Sequence, residues 1–472
     1  MISTKEDLFQ TICNASRLGT LGLFIGAGFS KALLEGNTKH IAYRWGELLE
    51  ASCEKLEIDK QLINTNGAYP ELATKICQLY ADISGKSYEL AAREFKEKIC
   101  ELTDTYPDQE KIKNYGKWFE EISPEWIVTT NYDTIIESVL GGKALSIAPD
   151  RCFCNISGMV PVFHLHGICR EPDSVVITNE DYTYMFRPND YRQARLPFLM
   201  KESCVLMIGY GLGDINVITA VDWANNVYTN SSEGYDFPII QLLYVDAPKP
   251  APYISKDNIV IYEINNLEDF FRELSSFMNG YNEKYDEKMK TMGEIVTYLN
   301  CTEDEHILDF IDNKDCSKDR ILNFFKTLEP EFGYVYNVFF PFVRCVVANL
   351  DELSARRGAF QEYDRKLCFI LDIFMSIPIN KIPASLFGLL AEELNAVAVY
   401  VNSNGEYVLG ESYSATDSWG RYKNAIPKDV IRELRRLTES SQSGYDNLRK
   451  LLYSIDSENI DSDFERAYDI YE

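Results

Sequence analysis

Apolar positions over residues 20–264 fall into short continuous runs, which suit strands that are buried on both faces, as in a parallel sheet. A helical pattern at 40–120 separates the first two runs. The sequence therefore predicts an α/β fold, a Rossmann-like doubly wound parallel sheet with a helical insertion. The runs are TLGLFIGAG (20–28), EWIVTTN (125–131), MVPVFHLHG (159–167), SCVLMIGYG (203–211), FPIIQLLYVD (237–246) and NIVIYEI (258–264).

A different pattern follows the last run, with helical spacing and frequent Phe, Leu and Tyr. Residues 267–281 predict the final helix of the first domain, with Gly280 near its end, and the charged segment 282–290 indicates a domain edge. The dipeptide Asn404-Gly405 predicts a β-hairpin over residues 396–411. We therefore predict two domains, 1–284 and 285–472, the second being mainly α-helical with a hairpin.

Charge and cysteine usage narrow the classes of function. The formal net charge of −26 repels phosphate backbones, so we expect no direct binding of nucleic acid. Of the 12 cysteines only Cys152 and Cys154 are close in sequence, and no C-x-x-C occurs, so we expect no structural metal. The N-terminus lacks a signal-peptide core and no run is long enough to cross a bilayer, which predicts a cytoplasmic protein without membrane contact.

Two of the apolar runs end in glycine loops. Gly26-Ala27-Gly28-Phe29-Ser30 follows the first run, where small residues let the backbone approach a diphosphate and helix N-terminal amides attract it. The second loop follows Ile208 and suits the adenosine half of a nucleotide. Each loop alone is equally consistent with a tight turn. The candidate binding residues of the two loops are Gly26, Ala27, Gly28, Ser30, Gly209, Tyr210, Gly211 and Asp214.

Polar side chains follow the run that ends at Thr129. Thr130, Asn131 and Asp133 stand where a strand gives way to a helix, so they are candidates for binding a ligand at the sheet edge. Asn and Asp are also favoured as helix caps, and a purely structural role is therefore an alternative.

Two histidines share one face of the run at 159–167. His166 comes last before Gly167, so it is better placed than His164 to reach a ligand at the carboxyl edge of the sheet. An imidazole can take a proton from a hydroxyl group near neutral pH. We interpret His164, like His40 and His306, as a structural histidine.

In their order along the chain these motifs resemble the SIR2 family over roughly residues 15–280. GAGFS looks like the diphosphate-binding GAGxS of that family, and the loop at 209–214 looks like its adenosine-ribose segment. Asn131 and Asp133 match the Asn-x-Asp motif, and His166-Gly167 matches the catalytic His-Gly. The resemblance implies that the chain takes NAD as its substrate and breaks the nicotinamide–ribose bond.

The chain departs from the protein-deacylating sirtuins after the first motif. Those enzymes continue with Gly-Ile-Pro-Asp-Phe-Arg and carry a four-cysteine zinc module, whereas this chain reads KALLEGNTKHIAYRWGELL (31–49) and lacks the module. The Thr-Asn-Tyr-Asp form and the segment EDYTYMF (180–186) are similar to SIR2-like effectors of bacterial antiphage defence. Those proteins hydrolyse NAD when infection is sensed. The similarity implies an NAD hydrolase of abortive infection, in which water replaces acyl-lysine as the acceptor.

The resemblance also implies roles and partners. Asn131 and Asp133 would hold the nicotinamide ribose and orient a water, with His166 as general base. Two alternatives stay open: an NAD-dependent deacylase or ADP-ribosyltransferase, and a non-catalytic scaffold that senses NAD or ADP-ribose. An enzyme that destroys NAD needs a restraint, and the apolar helices of the second domain predict a homo-oligomer or a docked partner, for which a HerA-type translocase ATPase is the candidate.

Overall fold

The computed structural model of the chain contains two compact units, residues 1–285 and 286–472. The described part of the first unit is α/β with a mostly parallel sheet and that of the second is helical, which confirms the predicted fold class. Gly211 and Asp214 of the predicted nucleotide loop lie outside the described residues, as do Cys154 and Phe186. The structure describes residues 2–37, 39–59, 68–149, 151–152, 156–185, 191–210, 221, 237–354, 360–398, 413–440 and 444–456.

A sheet of eight described strands forms the centre of the first unit, in the order β3-β4-β2-β1-β5-β6-β8-β7. Neighbouring strands are parallel except for β7, which is antiparallel to β8. The strands are β1 Leu21–Ile25, β2 Trp126–Thr129, β3 Ala144–Ile147, β4 Val160–His164, β5 Cys204–Ile208, β6 Ile239–Tyr244, β7 Tyr253–Ile254 and β8 Val260–Ile264.

The two strands that the apolar pattern does not predict are the edge strands, β3 and β7. The six predicted runs all contain a strand, and every residue of β1, β2, β5 and β8 is buried. By contrast β3 is mostly half-buried and β7 has only two residues, one of them exposed. An edge strand pairs on one side only and is partly solvated, so it needs no continuous apolar run.

Helices cover both faces of the sheet. Leu23 and Ile25 of β1 belong to an apolar cluster with residues of α1, α6 and α10, whereas Phe24 between them belongs to a second cluster with residues of α9. The described helices are α1 Lys5–Arg17, α2 Ala27–Leu34, α3 Trp45–Lys55, α4 Tyr69–Ser84, α5 Tyr88–Thr103, α6 Gln109–Ile122, α7 Ile135–Leu140, α8 Asn179–Met185, α9 Tyr191–Lys201 and α10 Leu267–Leu299.

Three helices of the insertion, α3, α4 and α5, build a core of their own beside the sheet edge. Tyr132, the middle residue of the Asn-Tyr-Asp motif, is buried in this core, and its hydroxyl donates to the carbonyl of Val176 at 2.9 Å. The Tyr132 carbonyl accepts from the amide of Cys169 at 2.8 Å. The motif therefore ties the insertion to the end of β2, while Asn131 and Asp133 on either side are left for other partners.

The prediction that the last helix of the first unit ends near Gly280 is wrong. Helix α10 runs without a break for 33 residues to Leu299. Gly280 is exposed inside it with open space around its Cα, and a single exposed glycine costs a helix only about 1 kcal/mol. The charged segment 282–290 is rich in Glu and Lys, which favour helix, so it continues the element rather than ending it.

The described second unit is all-helical. The predicted hairpin at 396–411 is wrong at its start, because residues 396–398 end a helix, and its remainder lies outside the described residues. No described helix is long and apolar enough to cross a membrane. The helices are α11 Asp304–Ile311, α12 Ser317–Lys326, α13 Tyr336–Ser354, α14 Phe360–Ser376, α15 Ala384–Ala398, α16 Tyr413–Tyr422, α17 Lys428–Ser440 and α18 Asp446–Asp456.

The apolar residues of α13, α14 and α15 are buried inside the chain itself. Phe342, Phe374 and Leu390, one from each helix, are all 0% exposed. The sequence predicted self-association from the apolar side chains of these three helices. Those side chains pack in an ordinary core, so they do not by themselves provide a surface for a partner.

Candidate active site

The order of the strands brings the first and the fifth strand-end loops together. The chain leaves β1 for β2 on one side of the sheet and later returns to add β5 on the other side of β1. This reversal is the switch point at which doubly wound folds bind ligands, outside the carboxyl ends of the strands.

The two glycine loops interlock at this switch point. The amide of Gly26 donates to the carbonyl of Ile208 at 2.9 Å, and that of Gly28 to the carbonyl of Gly209 at 2.8 Å. A Cβ on Gly28 would stand 2.7 Å from the Cα of Gly209, and Gly209 itself has a φ of +64°. The glycines are thus needed for backbone-to-backbone contact, and a diphosphate at the start of α2 would compete with Gly209 for the Gly28 amide.

A cleft of about 550 Å³, a volume that includes its open mouth, lies beside this switch point. Its walls come from the loops after β1 and β2 and from the helical insertion, so it combines strand-end polar groups with aromatic and aliphatic side chains. It is lined by Ala27, Ser30, Ile41, Ala42, Tyr43, Trp45, Leu48, Leu102, Thr103, Thr105, Thr130, Asn131, Tyr132 and Asp133.

A chain of hydrogen bonds joins the two strand-end loops inside the cleft. The side-chain amide of Asn131 donates to Oγ of Ser30 at 2.9 Å, and the Ser30 hydroxyl donates to Oδ2 of Asp133 at 2.8 Å. The other oxygen of Asp133 accepts from the amide of Ile135, at the first residue of α7, at 3.1 Å. Asp133 therefore accepts a hydrogen bond at the start of a helix, which is the capping role given above as the structural alternative. It also lines the cleft.

Burial controls the charge of Asp133. Removal from water disfavours its carboxylate form and raises the pKa of Asp133 from 3.8 to about 6, although the hydrogen bonds from Ser30 and Ile135 oppose the shift. The carboxylate is ionised at neutral pH, at a cost that the folded state bears. A buried carboxylate beside an amide can stabilise positive charge that develops on a ligand.

The cost of ionising Asp133 gives a test of stability. Because its pKa is raised in the folded state, its stabilising contribution is complete below pH 3.8 and is lost as the pH rises through 6. We therefore expect Asp133→Asn to gain stability relative to the parent by about 1.4 kcal/mol between pH 5 and pH 8. Urea unfolding followed by tryptophan fluorescence measures this, since Trp45, Trp118 and Trp126 lie in the first unit.

The control for this prediction is Asp82→Asn, at an exposed position of α4. The difference in the free energy of unfolding between this variant and the parent should stay constant from pH 5 to pH 8. A constant difference for Asp133→Asn as well would mean that the Asp133 carboxyl titrates as an exposed group does.

His166 lies beside the cleft rather than in its lining. The residue is 1% exposed, and its ring packs edge-on against Trp45, a wall of the cleft, and against Tyr182 of α8, with centroid distances of 6.2 and 5.5 Å. Its carbonyl accepts from the amide of Val176 at 2.7 Å. The structure thus places His166 against one wall of the cleft but outside its lining.

The other predicted residues divide between the cleft and the core. Ala27 and Thr130 line the cleft with Asn131, but Tyr210 does not. The Tyr210 ring packs on Phe24 at 5.1 Å in the core, and its carbonyl accepts from Gln241. Among the described residues no group of three or more His, Cys, Asp or Glu side chains could hold a metal ion.

Sequence reasoning missed the wall that the helical insertion contributes. Tyr43 precedes α3, and Trp45 and Leu48 lie in its first turn. The other lining residues, Leu102, Thr103 and Thr105, lie at the end of α5 or just after it. None of them stands at a strand end, which was the signal used for the other residues. The only hint was the aromatic pair in AYRW (42–45), which stands at the start of a helix.

The chain is similar in sequence to known proteins over the region that holds this site. Residues 125–259, which hold Asn131, Asp133 and His166, match the family model of the SIR2-like domain. The chain is also 23% identical over 317 residues to Defense-associated sirtuin 2 of Bacillus subtilis, with 65% of this chain and 29% of that protein aligned. The chain thus spans less than a third of the length of this relative. The first unit of this chain is therefore similar to SIR2-like domains in its fold, in the order of its motifs and in the match over residues 125–259.

Proposed function

We propose that this chain hydrolyses NAD to nicotinamide and ADP-ribose and thereby acts in bacterial defence against phage. The observation that carries the proposal is the chain of hydrogen bonds from Asn131 through Ser30 to Asp133 inside a cleft at the switch point. The family match supports the use of NAD, and the name of the Bacillus relative supports a role in defence. The chain needs no metal for this reaction.

In the proposed reaction the C1′–N bond of the nicotinamide ribose breaks, and the electron pair leaves with nicotinamide. Positive charge develops on the ribose, where the Asp133 carboxylate stabilises it. The Oδ1 of Asn131 accepts a hydrogen bond from the water, whose oxygen attacks C1′. His166 takes the proton of that water as general base, which requires that NAD binding open the buried imidazole to the cleft.

The test is a product assay with purified full-length protein. We expect nicotinamide and ADP-ribose in equal amounts from NAD, without any protein acceptor. Binding of NAD without turnover would favour the alternative of a sensing scaffold instead. Labelled ADP-ribose on protein, or an O-acylated ADP-ribose from an acylated peptide, would favour the transferase alternative.

Restraint of the reaction is a separate proposal. Self-association as a homo-oligomer and docking of a HerA-type ATPase stay predictions. The apolar helices that suggested them are buried in the second unit, so the structure adds no surface in their support. The solution mass of the full chain, measured together with its NAD turnover with and without the product of a neighbouring ATPase gene, tests both. A monomer whose turnover no partner changes would end this proposal.

A further inference from the structure

His164 is the buried neighbour that holds the main chain of Asn131. It ends β4, is 1% exposed, and its ring lies between two groups of different elements. Its Nδ1 is 3.1 Å from the carbonyl oxygen of Asn131, and its Nε2 is 2.7 Å from Oε1 of Glu137 on α7. The ring therefore bridges the strand-end loop of β2 and the helix that follows it.

Both neighbours of the His164 ring are acceptors. A carbonyl oxygen can only accept, so Nδ1 carries a proton. Burial opposes the charged form of Glu137, but hydrogen bonds from His164 and from the Ser146 hydroxyl hold its pKa below the usual value, so Glu137 is a carboxylate. The ring is thus held between the Asn131 carbonyl on one side and the Glu137 carboxylate on the other.

Three of the four polar groups of Asn131 are held by the protein. Its amide donates to Oγ1 of Thr129 at 3.0 Å, its carbonyl accepts from His164, and its Nδ2 donates to Ser30. Among the described residues no partner donates to the fourth group, Oδ1. A residue immobilised in this way presents one acceptor to the cleft in a fixed place, which is the arrangement that preorganised catalysis requires.

We propose that His164 is a positioning residue that orients Asn131 for attack on the substrate, rather than a core histidine that only adds stability. The inference rests on the proposed function, because it assigns His164 a share in the reaction of Asn131. Glu137 fixes the ring from the opposite side, and Ser146 of β3 fixes Glu137 in turn. The ring thus sets the peptide that follows the end of β2.

Two substitutions separate the two contacts of the ring. In His164→Asn the side-chain amide nitrogen stands near the former Nδ1 and keeps the donor to the Asn131 carbonyl. In His164→Gln it reaches the former Nε2 and keeps only the contact with Glu137. Both variants remove the imidazole ring and one of its two hydrogen bonds, so a purely structural role predicts similar losses of stability and of turnover.

We expect kcat to fall by about 10²-fold in His164→Gln but by less than about tenfold in His164→Asn, with little change in KM for NAD and similar thermal unfolding temperatures. A displacement of the catalytic group by about 1 Å is enough for a loss of this size. Equal kcat values in the two variants, or a loss confined to KM, would overturn the proposal.

A second readout does not depend on turnover. The chain has only 4 histidines, so protein labelled with ¹⁵N in the imidazole rings gives few signals, and the set missing from His164→Asn belongs to His164. We expect Nδ1 of His164 to carry a proton, because the Asn131 carbonyl beside it can only accept. A ring with a bare Nδ1 would contradict the proposal.

Failure of the proposed function and failure of the positioning role of His164 give different results. If the parent releases no nicotinamide, the proposed function has failed, and the side-chain amide signal of Asn131 then decides the positioning. That signal, assigned by its loss in Asn131→Ala, should shift in His164→Gln and stay in place in His164→Asn. The same signal position in both variants would show that His164 does not orient Asn131.

Discussion

Nicotinamide release should fall by about 10²–10⁴-fold when Asn131 or His166 is replaced by alanine. Asn131→Ala removes the acceptor that orients the water and leaves the Ser30 hydroxyl without its donor, and His166→Ala removes the proposed base. Neither change cuts a helix or a strand, so both variants should fold. Initial rates of nicotinamide release, at saturating NAD, measure the effect.

The matched control for this prediction is His306→Ala, because His306 is a partly buried histidine of the second unit whose Nε2 contacts the carbonyl of Tyr298. It should retain the turnover of the parent. If Asn131→Ala and His166→Ala also keep the parent rate, the reaction takes place elsewhere in the chain.

Gly28→Ala should destabilise the first unit by about 1–3 kcal/mol and weaken NAD binding about tenfold or more. A Cβ at this position meets the Cα and the carbonyl oxygen of Gly209 at 2.7 and 2.8 Å. Both atoms belong to backbone, so no side chain can turn away to make room. Separation of the two loops would also displace Ser30, which holds Asn131 and Asp133.

The control for Gly28→Ala is the same change at Gly280, which lies in the middle of α10 with open space around it. There the replacement adds only helix propensity and should stabilise the chain by about 0.5–1 kcal/mol. Thermal unfolding and calorimetric titration with NAD measure both variants. A gain in stability for Gly28→Ala as well would show that the two loops do not need to touch.

The sequence predicted the central strands because each is buried on both faces and ends at a marked turn. Gly26 and Gly209 close β1 and β5, and Asn131 follows β2, so the motifs marked the carboxyl ends of these strands, whereas the contact between the loops after β1 and β5 came from the strand order. It could not predict the edges β3 and β7, which are partly solvated and short. Nor could it predict the length of α10, because a glycine near a charged segment is typical of a helix end but does not require one.

The candidate site was predictable only where strand ends supply it. Asn131, Asp133 and Ser30 follow strands, and the parallel sheet alone brings them together. Trp45 begins helix α3 and does not follow a strand, so its position depends on how the insertion packs. The burial of Tyr210 also depends on side-chain packing, and so do the hydrogen bonds of His164. The spacing of apolar residues along the sequence does not specify this packing.

Ser30 belongs to the loop that would receive the diphosphate and also to the hydrogen-bond chain of Asn131 and Asp133. If the proposed function holds, the Ser30 hydroxyl lies beside the diphosphate of bound NAD. The same hydroxyl aligns Asn131 and Asp133, the groups that act on the bond to be broken. A nicotinamide mononucleotide or riboside lacks the second half of that anchor, so it would gain little of the remote binding energy that aligns Asn131. Selectivity for the whole dinucleotide would then be exerted on the rate of cleavage rather than on affinity, and the small precursors from which a cell rebuilds its NAD would escape destruction.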